Sequence, residues 1–391
     1  MAALSRFAPS FALIIACGWG AFTANAEPFI KNQSTIQGIV VTETPAGMMG
    51  KATDIIVTFS PRDTKPAHFE RKVGEEMSTS LSEAVRAVQV DYPDWDGTQV
   101  RVSFGDKYSQ KDGGSAGTAY AVCLISMLDG FDIDPDYAMT GDITVDRRVR
   151  QIAGVAAKIK GATVDGAKVV GIPAENLDAL SDLVLIDSLQ PLLDTQVFTL
   201  ETLEQSVELA RADRPEDLAK AIALFDDFRE TVGPGGAKAI RKPGYEQMLA
   251  EIVELAPHHA SADMLLKSLR NEGPKKLSVT GSLVEVLERG RPAMAVLQTV
   301  KPGSATKEQR RIMREAKSQV GRMRSMTHPE VREFRAAMES YLASGSRLVH
   351  AKSINKSQYD RFVRASEQLV DEYNALSSDP KTIQALLRES Q

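Results

Sequence analysis

The sequence is poor in cysteine and in aromatic residues. Only two of its 391 residues are cysteine, and Phe, Trp and Tyr together make up 6%. If the N-terminal segment is removed after Ala26, Cys123 is left without a partner and an internal disulfide is excluded. Cys123 lies in the apolar run AYAVCLISML, where we expect a small buried hydrophobic side chain. The stability of the fold must therefore come from packing.

The sequence also has no strong excess of either charge and no long apolar run after its N-terminus. Its net charge is −5, and 25% of its residues are charged. This composition is typical of an ordinary globular protein and does not indicate a nucleic-acid partner. Beyond the N-terminal segment, nothing approaches the roughly 20 consecutive apolar residues of a membrane-spanning helix. The length of the chain is typical of two domains.

The first 26 residues have the pattern of a secretory signal peptide. Arg6 supplies the positive start, FALIIACGWGAF the apolar centre, and ANA before Glu27 the cleavage site. We therefore expect export to a bacterial periplasm or to the medium, with a mature chain that begins at Glu27. The run IIAC, which ends at Cys17, also resembles the lipobox of bacterial lipoproteins. Acylation of Cys17 would anchor the protein to a membrane.

After this leader, the hydrophobic pattern predicts an α/β domain. The segments IQGIVVTE and TDIIVTFSP are typical of strands broken by PAGMMG, and GEEMSTSLSEAVRAV is typical of an amphipathic helix. SAGTAYAVCLISMLDGF predicts a buried helix that begins at or just after Ser115, and VAAKIKGATVDG predicts another helix. Beyond residue 212 the apolar residues recur almost throughout at the spacing of a helix. We expect a signal peptide over 1–26, an α/β domain over 27–212 and a helical region over 213–391.

The stretch KDGGSAG, residues 111–117, places Ser115 between two pairs of glycines. A phosphate-binding loop would need four residues between its glycines, followed by Gly-Lys and Ser or Thr, and no such pattern occurs in the chain. The Rossmann pattern Gly-x-Gly-x-x-Gly is not met here either. We therefore predict no nucleotide cofactor, and consider Ser115 as a nucleophile.

A histidine base for this serine has little support. Of the five histidines, only His68 lies in the predicted α/β domain, within the polar segment KPAHFER, which we expect to face solvent. His258 and His259 are adjacent, but no carboxylate stands at a recognisable metal-ligand spacing from them. We expect an ordinary loop there, and no metal site.

A lysine is the remaining candidate base. Lys158 and Lys160 lie in GVAAKIKGA, a predicted helix with small apolar neighbours. Burial lowers the pKa of a lysine, so that its neutral amine can take the proton of a serine and later give it to the leaving group. On spacing and composition alone, a solvated surface position remains the more ordinary interpretation of Lys158.

Three stretches, in a fixed order, resemble the proteolytic domain of Lon proteases. They are KDGGSAG, AMTGDIT and VRQIAGVAAKIKGATVDGAKVVGIPAEN. The resemblance extends over about residues 38–212. It implies a Lon-type α/β (α+β) fold and a peptidase with a Ser-Lys dyad, in which Ser115 is the nucleophile and Lys158 the general base. It also suggests a homo-oligomeric ring.

The resemblance and simple chemistry assign supporting roles to neighbouring residues. Thr140 would hold the lysine amine through its hydroxyl, and Asp112 would shape the loop beside the nucleophile. Both are also common turn residues. Gly113, Gly114 and the Ser115 amide would form an oxyanion hole, because glycines let backbone N–H groups approach a carbonyl and a helix start adds partial positive charge.

The chain departs from the family pattern at several positions. Gly114 stands where the family usually has proline, and Arg101 and Ser103 stand where many bacterial members have histidines. The strand DIIVTFSP lacks a glutamate that many members carry. We recognise no ATPase module in this sequence, so that hydrolysis without nucleotide is expected.

The leading hypothesis is therefore an exported, ATP-independent serine endopeptidase that cuts peptides or unfolded proteins. An alternative is a non-catalytic protein that binds peptides or serves as a scaffold on a Lon-like fold. A third is a precursor that cuts itself once, in the loops around Gly233 or Gly303. The helical region 213–391 would serve oligomerisation, gating, partner recruitment or structural support, and the sequence does not decide among these.

Overall fold

We describe a computed structural model of the protein. It describes residues 29–44, 47–105, 113–240, 244–301, 304–351, 353–380 and 382–383. The predicted signal peptide, Cys17 and Asp112 lie outside these residues. Within the described ranges, no helix combines the length and the apolar character needed to cross a bilayer.

The strands lie in the N-terminal half of the chain. They are β1 (Gln33–Thr44), β2 (Gly47–Phe59), β3 (His68–Phe69), β4 (Val100–Phe104), β5 (Tyr137–Met139), β6 (Asp142–Ile143), β7 (Val149–Arg150), β8 (Val169–Pro173) and β9 (Gln196–Leu200). Seven of them form one sheet in the order β3-β4-β2-β1-β5-β8-β9, and β6 pairs with β7 as a separate hairpin. In the large sheet β2 is antiparallel to β1 and β4, whereas β5, β8 and β9 continue it in parallel.

Helices alternate with these strands and then continue alone. Those of the N-terminal part are α1 (Glu75–Gln89), α2 (Gly117–Asp129), α3 (Val155–Val164), α4 (Leu177–Ile186), α5 (Gln190–Asp194) and α6 (Leu203–Ala210). The later ones are α7 (Glu216–Val232), α8 (Tyr245–Leu255), α9 (Ala260–Leu269), α10 (Val279–Thr299), α11 (Lys307–Arg322), α12 (Arg332–His350) and α13 (Lys356–Ser378). The predicted α/β region followed by a helical region is confirmed.

The parallel part of the sheet is covered by helices on both faces. Side chains alternate along each strand, so that Tyr137 and Met139 of β5 join the core formed with α1, α2 and α6, and Ala138 joins the core formed with α3 and α4. The predicted buried helix is α2, in which every residue from 117 to 128 is buried. Ser115 therefore precedes a helix on one face of the sheet, and Lys158 belongs to a helix on the other.

Helix α3 lies unusually close to strand β2. A Cβ atom on Gly161 would lie 2.1 Å from the carbonyl carbon and oxygen of Gly50, and one on Gly50 would lie 2.1 Å from the Ala157 carbonyl oxygen. Only glycines permit this backbone contact. The expectation that PAGMMG interrupts the strands is wrong for its last four residues, because β2 begins at Gly47 and includes Gly50.

The first helices of the C-terminal half cover the edge of the sheet. Two backbone N–H groups of the edge strand β9 donate to this segment: Val197 to the Ser261 hydroxyl and Thr199 to the His258 carbonyl, each at 2.9 Å. An edge strand left with unpaired N–H groups is a site for unwanted strand pairing. Helices α7 to α9 thus complete the α/β layer, and its core continues through them as far as Leu266.

A second core begins at Leu277 and is built from α10 to α13. The two cores are joined by a buried polar contact. Asp182 of α4 accepts hydrogen bonds from the amide and the hydroxyl of Ser278, at 2.7 and 2.5 Å. Ser278 caps the N-terminus of α10, so that the last four helices begin from a fixed point on the α/β layer. From about residue 213 onward the described residues form helices and no further strands. The second core, however, begins only about sixty residues later, at Leu277.

Replacing Gly161 tests the close approach of α3 to β2. Gly161→Ala forces the two backbones apart, and we expect it to lower the free energy of unfolding by about 2 kcal/mol or more. Urea unfolding followed by circular dichroism measures this loss. Gly321→Ala, in helix α11, is the matched control, because the nearest atom to its new Cβ is the end of the Glu339 side chain of α12, 3.3 Å away. Equal effects of the two substitutions would contradict the proposed contact.

Candidate active site

Ser115 lies in the turn that leads into α2, and its side chain is half-buried. Its carbonyl oxygen accepts two hydrogen bonds, from the Gly141 amide at 2.8 Å and from the Thr140 hydroxyl at 3.1 Å. Thr140 and Gly141 directly follow strand β5. The backbone of Ser115 is thus fixed to the end of the strand that lies between the two helical layers.

Lys158 is buried, with 4% of its surface exposed, and its ammonium nitrogen lies 3.2 Å from the Thr140 hydroxyl oxygen. Burial lowers the pKa of Lys158 from 10.5 to about 7. The surface interpretation of this lysine is therefore wrong. Among the described residues no carboxylate pairs with Lys158, so that nothing offsets the desolvation of its charge.

Thr140 joins the two candidate dyad residues. Its hydroxyl hydrogen is directed to the Ser115 carbonyl, and its oxygen accepts an N–H from Lys158. A neutral lysine amine has two hydrogens and one lone pair. Because Thr140 takes one of those hydrogens, the lone pair of Lys158 remains available to accept a proton. The predicted role of Thr140 as a holder of the lysine is consistent with this geometry.

The alternative bases are engaged elsewhere. Lys160, two residues after Lys158 in α3, is about half exposed and forms an ion pair with Asp187. His68 lies in β3, where one ring nitrogen contacts the Pro66 carbonyl at 2.9 Å and the other lies 3.4 Å from Asp63. Of the two lysines that the sequence offered, Lys158 is the one whose amine is buried and has no carboxylate partner among the described residues.

The loop before α2 provides backbone N–H groups. Gly113 has a φ angle of +106°, a conformation that favours glycine. Within the described part of the chain, the amides of Gly114, Ser115 and Ala116 pair with no acceptor. They lie at the N-terminus of a 13-residue helix, where the helix dipole favours negative charge. These features fit the predicted oxyanion hole. Asp112, which we expected to shape this loop, lies outside the described residues.

Sequence reasoning missed two residues that contact this loop, Ser80 of α1 and Asp142 of β6. The Ser80 hydroxyl lies 2.8 Å from the Gly114 carbonyl oxygen and 3.0 Å from a carboxylate oxygen of Asp142. The sequence contained an indication of each residue. Ser80 is a polar residue next to the apolar stripe of its helix, and Asp142 lies within the motif AMTGDIT.

The remaining polar candidates have structural roles. His259 is fully buried, stacks on Phe198 and Phe225, and caps α9, and burial lowers its pKa to about 3. His258 and His259 lie in the loop between α8 and α9, as expected, and His259 is buried there. Cys123 is buried as predicted, and burial raises its pKa to about 12. In the described residues, no group of three or more His, Cys, Asp or Glu side chains is placed to hold a metal ion.

Comparisons with known proteins identify the domain that contains this site. Residues 71–209 match the model of the Lon protease (S16) C-terminal proteolytic domain. This part of the chain is similar to the proteolytic domain of Lon proteases. The predicted resemblance is confirmed, and Ser115, Thr140, Lys158 and the glycine loop all lie within the matched residues.

Several curated Lon proteases are similar to part of this chain. Lon protease of Rhizobium meliloti (strain 1021) is 36% identical over 117 residues, which are 29% of this chain and 14% of that protein. Lon protease of Acinetobacter baumannii (strain AB307-0294) is 28% identical over 155 residues, 38% of this chain and 19% of that protein. Lon protease 2 of Syntrophobacter fumaroxidans is 30% identical over 151 residues, which are 37% of this chain and 19% of that protein. The matched segments thus cover less than a fifth of these relatives.

The burial of Lys158 predicts a pH-dependent stability difference. A lysine with a pKa near 7 in the folded protein and 10.5 when unfolded binds more protons in the unfolded state between these values. The folded state therefore loses stability as the pH falls from 10.5 towards 7. Lys158→Met removes this loss, and we expect the variant to be more stable than the wild type near pH 7, with a difference that shrinks towards pH 10.

Thermal unfolding of both proteins across this pH range measures the difference. Lys160→Met serves as the control, because its side chain is about half exposed and its substitution should give a difference that varies little with pH. A Lys158→Met variant whose stability parallels the wild type at every pH would show that Lys158 keeps an ordinary pKa.

Proposed function

We propose that this protein is an exported serine endopeptidase that hydrolyses peptides or unfolded proteins without ATP, using Ser115 as nucleophile and Lys158 as general base. The observation that carries the proposal is the buried Lys158 amine, held by the same Thr140 hydroxyl that binds the Ser115 backbone. A buried lysine without a carboxylate partner reduces stability, and such an arrangement is typical of a functional site.

In the first step, the Ser115 hydroxyl oxygen attacks the carbonyl carbon of the substrate while its proton passes to the lone pair of Lys158. The negative charge that develops on the substrate oxygen is stabilised by backbone N–H groups at the start of α2. With a pKa of about 7, a substantial fraction of Lys158 is neutral near pH 7 and can act as a base.

In the second step, the protonated Lys158 gives its proton to the nitrogen of the departing amine, and an acyl-enzyme remains on Ser115. A water molecule then attacks the ester carbonyl while Lys158 takes a proton from it. The bond to Ser115 breaks, and Lys158 returns this proton to the Ser115 oxygen as the acid product leaves. Burial serves the two steps in different ways. It keeps a substantial fraction of Lys158 neutral before the attack, and it makes the ammonium formed in the first step a ready proton donor in the second.

Strand β1 supports an extended peptide as the substrate. It pairs with β5 only at Gln37 and Gly38, whose partners are Ala138 and Met139. The strand continues from Gly38 to Thr44, and the described residues contain no strand paired with this stretch on the β5 side. The residue that follows β5 is Thr140. An extended peptide that pairs with this free edge would pass beside the site, using main-chain hydrogen bonds that do not depend on sequence.

Export is supported by the leader sequence alone. We expect cleavage after Ala26 to leave a mature chain that begins at Glu27, in a compartment where ATP is scarce. The intact mass of the protein recovered from the cell envelope or the medium tests this directly. A mass that begins at Cys17 and includes acyl chains would instead establish a membrane-anchored lipoprotein, and a full-length mass in the cytoplasm would contradict export.

Hydrolysis of casein by the purified mature protein tests the activity. We expect cleavage in the absence of ATP and no increase when ATP and magnesium are added. Ser115→Ala and Lys158→Ala should each lower the rate by about a thousandfold or more, because each removes one half of the dyad. Lys160→Ala is the matched control on the same helix and should retain the wild-type rate.

A Lys158→Ala variant with full activity would contradict the Ser-Lys mechanism. A folded wild-type protein that binds casein without cutting it would favour the alternative, a peptide-binding or scaffold protein on a Lon-like fold. A Ser115-dependent fragment of the protein itself, detected by mass, with no cleavage of casein would favour the self-processing precursor.

A further inference from the structure

Asp142 and Ser80 form a small polar cluster behind the loop that carries Ser115. Ser80 is buried in α1, and its hydroxyl oxygen lies 2.8 Å from the Gly114 carbonyl oxygen and 3.0 Å from Oδ1 of Asp142. Oδ1 of Asp142 also accepts the Ile143 amide at 2.9 Å. The cluster thus links helix α1, the β6 strand and the peptide group that precedes the candidate nucleophile.

The glycines of the loop leave space for this cluster. A Cβ atom on Gly114 would lie 3.2 Å from the carboxyl carbon of Asp142, and one on Gly117 would lie 2.5 Å from the Ser80 hydroxyl and 2.9 Å from Oδ1 of Asp142. Larger residues at 114 or 117 would push the carboxyl group and the hydroxyl away from the loop. The contact between the cluster and the loop therefore depends on both glycines.

The charge of Asp142 is not used in a salt bridge. No lysine or arginine among the described residues lies within ion-pair distance of it, although Arg150 is its partner across the β6-β7 hairpin. The Arg150 guanidinium instead binds Asp146 and Glu175. Burial, together with the nearby Glu83 carboxylate, raises the pKa of Asp142. Its contribution is therefore a matter of hydrogen bonding and shape. The Ser80 hydroxyl has one hydrogen, and it donates this hydrogen to the Gly114 carbonyl when the Asp142 carboxyl group carries a proton and donates to the Ser80 oxygen.

The bond to Gly114 acts on Ser115 through the peptide plane. The Gly114 carbonyl and the Ser115 N–H belong to the same planar group and point in opposite directions. The Gly114 carbonyl also accepts the Gly117 amide at 3.0 Å. Together, the bonds from Ser80 and Gly117 fix the direction of the Ser115 N–H, for which the described residues provide no acceptor. Oxyanion stabilisation requires such a donor to be aimed before the reaction begins.

We propose that Asp142 is a positioning residue, which holds the Ser80 hydroxyl against the Gly114 carbonyl and so aims the Ser115 amide at the substrate oxyanion. This inference rests on the proposed peptidase activity. Asp142 does not contact the reacting atoms in this role, and it acts through Ser80 alone. Its loss therefore impairs the chemical step more than substrate binding, because the oxyanion exists only after attack.

Steady-state hydrolysis of an unstructured fluorogenic peptide tests the proposal in the mature protein. Ser80→Ala and Asp142→Ala should each lower kcat by about ten- to a hundredfold, with KM changed less than about threefold, because a misdirected oxyanion donor affects the transition state. In the double variant, kcat should stay within about threefold of Ser80→Ala, since Asp142 acts through the hydroxyl that is already absent. Asp142→Asn retains the shape, and its amide N–H can donate to the Ser80 oxygen while the Ser80 hydrogen is directed to the Gly114 carbonyl, so kcat should stay within about fivefold of wild type.

Ser82→Ala is the matched control, because Ser82 lies on the same helix and its exposed hydroxyl bonds only to the Ser78 carbonyl. It should leave kcat unchanged. Losses that multiply in the double variant, or losses confined to KM, would overturn the proposal. An unchanged kcat in Ser80→Ala would also overturn it. This outcome decides the question even if thermal unfolding shows that Asp142→Ala is not folded. A wild type without Ser115-dependent cleavage would instead refute the proposed function, and this inference with it.

Discussion

The arrangement of the candidate site depends on the hydroxyl of Thr140. Ser115 and Lys158 belong to segments on opposite faces of the sheet, and the strand between them ends one residue before Thr140. Its hydroxyl donates to the Ser115 carbonyl and accepts from the Lys158 amine, so that one group fixes both segments. A side chain without a hydroxyl at this position would leave a buried amine and a carbonyl without this partner.

Burial makes Lys158 useful as a base and also reduces the stability of the fold. The structure offsets this by packing α3 against β2 through Gly50 and Gly161, a contact so close that the helix has little freedom to carry the lysine towards water. The same close packing that fixes the amine beside Thr140 also excludes solvent from it. Reactivity and rigidity of the site therefore have one structural cause.

Much of this was predictable from sequence, and the rest was not for physical reasons. The periodicity of α1 and the uniformly apolar α2 predicted those helices, and ordered motifs indicated Ser115, Lys158 and Thr140. Local patterns do not show contacts between residues distant in sequence. The pairing of Ser80 with Asp142, the approach of Gly161 to Gly50 and the burial of His259 all arise from tertiary packing. The β2 strand was mispredicted at GMMG because glycine ordinarily weakens strands.

The division of the helical half changes which part of it is free to serve another role. Helices α7 to α9 bind the edge of β9 and share the core of the α/β layer, so that their removal would expose strand N–H groups and apolar side chains. Helices α10 to α13 have a core of their own and join the layer through contacts that include Asp182 and Ser278. Structural support therefore accounts for the first three helices, whereas oligomerisation, gating or partner recruitment remain roles for the last four. Asp182 lies on α4, which packs against the same face of the sheet as α3, and so links those four helices to the layer that carries Lys158.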